Sequence, residues 1–327
     1  MAADQVLSWL LEGDPAIRWQ SLRDLRGAAE RTVRREQGRV ATEGWGSRLL
    51  ELQDPDGRWA GGIYTPKWTS TTYTMLLLRN FGLLPRHPHA LRACQVLLDT
   101  GFWQDGGINF YPKRFEHSET CISSMVLAIL CWFQYDGPRV DRLADHVIAQ
   151  QMADGGWNCQ AYRGATHGSF HTTISALEGL MEYQRFRPDQ ARAACQAQAR
   201  GREFLLVHRL FRSHRTGEVV KAIMTRLSFP PHWHYDILRG LDYFRECGAA
   251  WDERLTGAIA LLEKKRTPDG FWLLENTYPG KTFFALETKG RPSRWNTLRA
   301  MRVLRWASQD AAGTNSFRRP RRLIVRF

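Results

Sequence analysis

Two imidazoles, a phenol and a carboxylate crowd into His232-Trp233-His234-Tyr235-Asp236, directly ahead of the apolar run that starts at Ile237. Side chains of these types can move protons. In an aromatic, poorly hydrated setting the carboxyl of Asp236 would have a raised pKa and could donate a proton, with His234 orienting it or exchanging that proton. The competing reading makes Asp236 a helix cap or the counter-charge of His234 or a nearby Arg. Glu119, in His117-Ser118-Glu119-Thr120-Cys121, is a second carboxylate candidate or a first-turn Glu favoured by the helix dipole. His171, in Phe170-His171-Thr172-Thr173, is a fourth candidate for acid–base work. Cys121, His171, His234 and Asp236 also have the types that hold zinc through three ligands and a water. They lack any local ligand spacing, so the expectation is no cofactor, with zinc as the alternative.

The stretch has echoes elsewhere. Arg18-Trp19-Gln20-Ser21-Leu22-Arg23 and Arg294-Trp295-Asn296-Thr297-Leu298-Arg299 align with it, so that Trp19, Tyr235 and Trp295 coincide, as do Gln20, Asp236 and Asn296. Arg23, Arg239 and Arg299 follow four residues after the aromatics, on the same helix face. Facing inward they would clamp a carboxylate or phosphate; facing sideways they would pair with acids such as Asp24 or Asp242. Residues expected to contact a ligand are Trp19, Gln20, Tyr73, His117, Cys121, Trp233, Tyr235, Trp295, Asn296, Arg239 and Arg299.

A recurring element must position these groups. A helix, a Gly/Asp/Trp turn, an irregular stretch and a more apolar helix follow one another repeatedly. First helices are expected near 40–53, 88–100, 139–152, 190–210 and 251–265, and second helices near 69–82, 118–135, 169–186, 232–247 and 293–307. An opening pair, with Asp14 as N-cap and Pro15 at the first helical position, makes six. The charged stretch 27–39 is a helical extension or connector. First-to-second links are long and second-to-first links mostly short, which gathers the loops, and with them function, where the second helices begin.

The turns are the most specific signal. Gln53-Asp54-Pro55-Asp56-Gly57-Arg58-Trp59 and Gln151-Met152-Ala153-Asp154-Gly155-Gly156-Trp157 share Q-x-x-x-G-x-W; Arg266 replaces the Gln before Gly270 and Trp272, and the fourth turn keeps only Asp105-Gly106. Gly supplies a left-handed turn closing a helix, Asp bonds turn amides, and Trp staples the turn to its neighbour. These turns resemble the QW motifs of squalene-hopene cyclases and the related repeats of protein prenyltransferase β subunits. The resemblance, to the terpenoid cyclase and protein prenyltransferase superfamily, spans nearly the whole chain. It implies an all-α fold, a single (α/α)6 toroid over 1–310 with six inner and six outer helices, followed by a basic tail over 311–327. The superfamily's Asp-x-Asp-Asp acid and Asp-Asp-x-x-Asp magnesium motif are absent, and no Asp-x-Cys pair opens an inner helix.

Composition narrows the partners. No apolar run approaches the ~20 residues that cross a bilayer, and the N-terminus lacks the basic start of a signal peptide. The six scattered Cys form no C-x-x-C pair, which suits reduced thiols in the cytoplasm. The net charge of +13 is spread along helices and concentrated in Arg318-Arg319-Pro320-Arg321-Arg322. No nucleic-acid motif accompanies it; a membrane surface is the remaining macromolecular partner. The expected function is a cyclase- or isomerase-like enzyme, acting by acid–base groups at the inner-helix rim of an aromatic cavity on a small, largely apolar molecule, isoprenoid or anionic. The alternative is a non-catalytic toroid that binds a lipid, peptide or anionic metabolite. Oligomeric state is open.

Overall fold

The computed structural model describes residues 2–313. Helices account for 56% of the chain and the described residues contain no strand, so the protein is all-α. No described helix is long and apolar enough to cross a membrane. The chain runs α1 (Ala2–Leu11), α2 (Pro15–Ser21), α3 (Glu30–Gly38), α4 (Gly44–Glu51), α5 (Thr71–Phe81), α6 (Pro88–Gly101) and α7 (Thr120–Trp132). It continues through α8 (Pro138–Ala149), α9 (Phe170–Phe186), α10 (Arg192–Val207), α11 (Ile237–Glu246), α12 (Thr256–Lys264) and α13 (Arg294–Gly313). The expected helices are found at every place, and α13 carries the final helix past residue 307. The basic tail from residue 314 lies outside the described residues.

Two helix starts differ from the repeat alignment. Trp19 and Gln20 lie in the last turn of α2, because Asp14 accepts the Ala16 amide at 2.9 Å and Pro15 pre-sets the first helical φ. The other oxygen of Asp14 accepts the Trp45 amide at 2.7 Å, so one carboxylate joins the starts of α2 and α4. Helix α11, expected from 232, begins only at Ile237. Asp236 accepts the Arg239 amide at 2.8 Å as N-cap, and His232 ahead of it has φ +50°, outside the helical region.

The turns share one bonding scheme. The indole N–H of Trp59, Trp157 and Trp272 donates to the carbonyl ten residues earlier, Leu49, Val147 or Leu262, at 2.7, 2.7 and 2.8 Å. Their backbone N–H groups donate to a hydroxyl near the start of the next helix: Thr71, Thr173 and Thr297 at 3.1, 2.9 and 3.0 Å. Ile108 replaces Trp in the remaining turn and keeps only the second bond, to Ser123 at 2.9 Å. Gln53 and Gln151 each donate to their turn carbonyl and to the first helix of the next pair, at His89 on α6 and Ala197 on α10. Gly57, Gly155 and Gly270, at φ +88°, +84° and +91°, provide the left-handed residue that turns the chain back. The buried indole thus satisfies its one donor while fixing the angle between paired helices.

In chain order the pairs are α1/α2, α4/α5, α6/α7, α8/α9, α10/α11 and α12/α13; α3 packs on α2, and α10 packs chiefly on α9. Among the second helices, α2 packs on α5, α5 on α7, α7 on α9, α9 on α11, α11 on α13 and α13 on α2. Gly179 permits the α7–α9 approach: a Cβ there would stand 2.7 Å from the Ser124 carbonyl oxygen. Replacing Trp157 by Ala is expected to cost about 3–5 kcal/mol. Thr173→Val, which removes only the hydroxyl that accepts the Trp157 amide and donates to the Trp157 carbonyl, should cost about 1–2 kcal/mol. Urea unfolding measures both, and equal losses would mean that the indole's volume and helix bond add nothing.

Candidate functional site

The second helices surround a cavity of roughly 140 Å³. Its wall carries six guanidinium groups, from Arg23, Arg79, Arg185, Arg239, Arg299 and Arg302, and four carboxylates, from Glu178, Glu182, Asp242 and Glu246. Apolar and aromatic side chains, among them Trp19, Tyr73, Leu76, Trp132, Met181 and Trp295, fill the rest of the wall. At one end the wall is Phe229-Pro230-Pro231-His232, with Phe229 stacked on Trp295 at 4.1 Å. At the other it is Arg23 and Arg185, whose side chains are 38% and 40% exposed, against 5% for Arg239 and 7% for Arg299.

The charges are paired across helices. Arg239 makes a two-pronged contact with Glu178 at 2.8 and 2.9 Å, and its other nitrogen donates to the His234 carbonyl at 2.7 Å. Arg79 bonds Glu182 at 2.7 Å. Asp242 receives Arg245, Arg299 and Arg302; Arg302 continues to Gln20 at 2.8 Å and to Asp24 at 3.1 Å. Burial alone would raise the pKa of Glu178 and Asp242, but Arg239 beside the first, and Arg302 and Arg245 beside the second, hold both below the usual carboxylate range. Both acids are therefore ionised at neutral pH. Counting Asp24 and Arg245 with the wall leaves seven cations against five anions, an excess of two. The Nε of Arg79 and the Nε1 of Trp295 are buried donors without a protein acceptor.

Beyond the Phe229–His232 end lies an aromatic belt at the loop side of the helices. His232 stacks on Trp68 at 3.8 Å, His234 on Tyr278 at 3.5 Å and on Trp233 at 3.7 Å, and Tyr64 meets Tyr73 at 5.1 Å. The Lys67 ammonium lies over Tyr64 at 5.1 Å and over Trp68 and Trp233 at 5.6 Å. Burial pushes His171 down to about 4, helped by Arg239 and Lys221, and pushes His234 down to about 3, helped by His171. His171 Nδ1 accepts the Tyr235 amide at 2.8 Å, so the neutral ring carries its proton on Nε2. Burial also raises Glu119, against the pull of Lys67, and lowers Lys67. A wider hollow of roughly 800 Å³ lies outside this belt, with His171 on its edge.

The expected site residues separate into three groups. Trp19, Gln20, Tyr73, Trp295, Arg239 and Arg299 line the central cavity, and the three aligned arginines face inward while also pairing with acids. His171, Trp233 and His234 belong to the belt, and Glu119, Cys121 and His117 lie at its margin, His117 packed on Tyr162 at 4.0 Å. Asp236, Tyr235 and Asn296 are interior supports. Asp236 is fully buried, its oxygens taking the Arg239 and Ser228 amides; the Tyr235 hydroxyl donates to Leu210, and the Asn296 amide to Leu273. Burial does raise the pKa of Asp236, against the attraction of Arg299. The charged wall beyond the aligned arginines, and His232, were not in the expected set. Among the described residues no three His, Cys, Asp or Glu side chains come together as a metal site.

The fold and this charged cavity define a helical protein with an internal, polar-walled pocket. No protein-family model matches the chain, and no curated protein matches it. Among solved structures, a crystal structure of a protein from Actinoplanes aligns over 90% of this chain and 89% of its own, at 16% identity and a TM-score of 0.45. That likeness carries nothing about activity.

The lowered pKa of His171 fixes a sign. The unfolded chain binds a proton near pH 6.5 that the folded chain refuses until about pH 4, so stability is full above 6.5 and falls as pH drops through that window. His171→Gln is expected to remove about one proton from the uptake on unfolding between those limits. Unfolding midpoints measured from pH 7.5 to 4.5 test this; an unchanged slope would place His171 in water. Glu178→Gln leaves Arg239 poorly paired and is expected to cost about 3–5 kcal/mol at neutral pH.

Proposed function

We propose that this chain is an (α/α)6 toroid whose central cavity binds a small molecule bearing an oxyanion, a carboxylate or a phosphate. The closed order of contacts among the second helices supports the ring: each packs on the next, and α13 returns to α2. Six inner helices and six partners, with α3 as an addition, account for the pairs. Closure depends on the Arg302 bridge to Asp24, so Asp24→Asn and Arg302→Gln should show a coupling of about 1–3 kcal/mol in a double-mutant cycle. Independent effects of the two changes would count against a closed ring.

The observation that carries the ligand class is the excess of two cations on the cavity wall, where Arg23 and Arg185 stand at the exposed end, together with the two unused donors. Excess positive charge at the mouth of a cavity attracts an anion, and one bearing several acceptors also satisfies the unused donors. Guanidinium groups grip planar oxyanions through paired N–H bonds. The volume suits a molecule about the size of one aromatic ring. Trp19, Tyr73 and Trp295 would hold its apolar part.

The probes are inorganic phosphate, benzoate and the uncharged benzyl alcohol, followed by calorimetry. The anions are expected to bind saturably and benzyl alcohol not to bind. Arg185→Gln, at the exposed end where folding tolerates change, should weaken binding about tenfold, as loss of one charge-assisted bond of ~1.5 kcal/mol implies. Failure of both anions, or equal binding of the alcohol, would overturn the assignment.

A second reading, isomerisation or cyclisation by proton transfer, is favoured by one observation. Glu119, its pKa raised by burial beside Lys67, stands at the margin of an aromatic belt with neutral imidazoles. That chemistry belongs at the belt rather than among the ionised acids of the cavity. It requires that Glu119→Gln abolish turnover of an isoprenoid substrate while anion binding in the cavity persists.

A further inference from the structure

After α10 the chain doubles back as a short hairpin. The Val220 amide donates to the Phe211 carbonyl at 2.9 Å and the Ser213 amide to the Glu218 carbonyl at 2.8 Å, around a turn that holds Gly217 at φ +72°. This hairpin, the end of α10 and the first residues of α9 form the walls of the wider hollow of roughly 800 Å³. Val207, Val219 and Val220 line it, and they are 44%, 39% and 39% exposed. Three of the six exposed large apolar side chains among the described residues therefore share one concavity. Single exposed apolar groups are ordinary, whereas several gathered in a hollow of this size mark a place for an apolar ligand.

The polar groups of the hollow are fixed by their contacts. The Phe204 carbonyl can only accept, so His208, whose Nδ1 lies 2.8 Å from it, carries a proton there. Burial lowers the pKa of this ring and keeps it neutral, so its Nε2 accepts the Nδ1–H of His214 at 3.0 Å. The neutral His214 ring then presents Nε2 as a bare acceptor. Arg215 donates to His167 Nε2 at 3.3 Å and keeps further N–H groups to spare. Asp154 spends its two oxygens on the Gly156 and Gly168 amides, at 3.0 and 2.7 Å, and Glu203 spends its two on Arg254, at 2.7 and 3.0 Å. No ion pair joins Arg215, Lys221 or Glu218 to another described side chain. The unspent charge of the wall is thus two cations against one anion.

We propose that this hollow is a second binding site, separate from the central cavity, for an aliphatic carboxylate with a hydroxyl near its acid group, of the medium-chain 3-hydroxyalkanoate type. Arg215 and Lys221 take the carboxylate, the guanidinium through paired N–H bonds. The hydroxyl donates to His214 Nε2. The chain lies over Val207, Val219 and Val220, with the buried Phe170, Phe204 and Met224 behind them. Covering these side chains removes apolar surface from water, and that burial supplies most of the attraction. The site does not rest on the anion reading of the central cavity, whose roughly 140 Å³ has no room for a long acyl chain.

The test is calorimetry on the full chain with 3-hydroxydecanoate, decanoate and decanol, each below the concentration at which it aggregates. The hydroxy acid is expected to bind saturably, decanoate about tenfold more weakly, and decanol about tenfold more weakly again, as loss of one hydrogen bond and then of the charge-assisted contact implies. Arg215→Gln should weaken both acids about tenfold and leave decanol unchanged. Val219→Asp, at an exposed position of the hairpin, should weaken all three. His214→Phe should lower 3-hydroxydecanoate to the level of decanoate, and Arg185→Gln, in the central cavity, should change none of them. No saturable binding, decanol equal to the acids, the two acids equal in the wild type, or affinities unchanged in both R215Q and V219D would overturn the proposal.

Discussion

Three guanidinium groups converge on the carboxylate of Asp242, and the rest of the interior is arranged around that meeting. Arg245 comes from the same helix, while Arg299 and Arg302 come from α13. Arg302 passes the connection on to Gln20 and Asp24, at the other end of the chain. Ions so deeply placed are costly to desolvate, and their attraction offsets this only where geometry satisfies nearly every donor. The network is therefore intolerant of partial assembly. A second helix displaced from its neighbours leaves a bare charge behind, which makes correct arrangement of the helices a condition of low energy rather than one option among many.

The helix pairs and their turns were readable because their determinants are local. Each turn, its Gly and its Trp fall within seven residues, and the indole's partner lies ten residues back on the same chain segment. The aromatic-His segment was readable as a dense group but was misplaced by the assumption that it opens a helix. Asp236 caps α11 instead, so His232, Trp233 and His234 belong to a non-helical lead-in that closes one end of the cavity. The charged wall left a weaker trace: Glu178 with Glu182, and Asp242 with Glu246, are four apart on α9 and α11, which also send Arg185 and Arg239 to the cavity. Nothing local says what they meet, since Arg79 reaches Glu182 across 103 positions and Arg239 reaches Glu178 across 61.

The repeats differ where they matter. At the three aligned positions Gln20 bridges helices, Asp236 caps a helix, and Asn296 secures a loop carbonyl. One scaffold position thus carries three unrelated polar duties, and the side chain at each follows its neighbours rather than the repeat. The turn that lost its Trp shows the same economy of requirement: Ile108 retains the backbone bond to the Ser123 hydroxyl on the next helix.

The fall in exposure along the cavity, from 40% at Arg185 to 5% at Arg239, is also a gradient of dielectric response. A unit charge 4 Å from a guanidinium feels about 1 kcal/mol in bulk water and about 4 kcal/mol at an effective dielectric near 20. Capture of an anion would thus proceed by stages. The outer arginines would govern arrival at the proposed anion site, where dissolved salt screens them. The inner ones would govern departure, where salt hardly reaches. Association and dissociation rates would then respond to ionic strength in different degrees, a kinetic asymmetry built from side chains of one type at different depths.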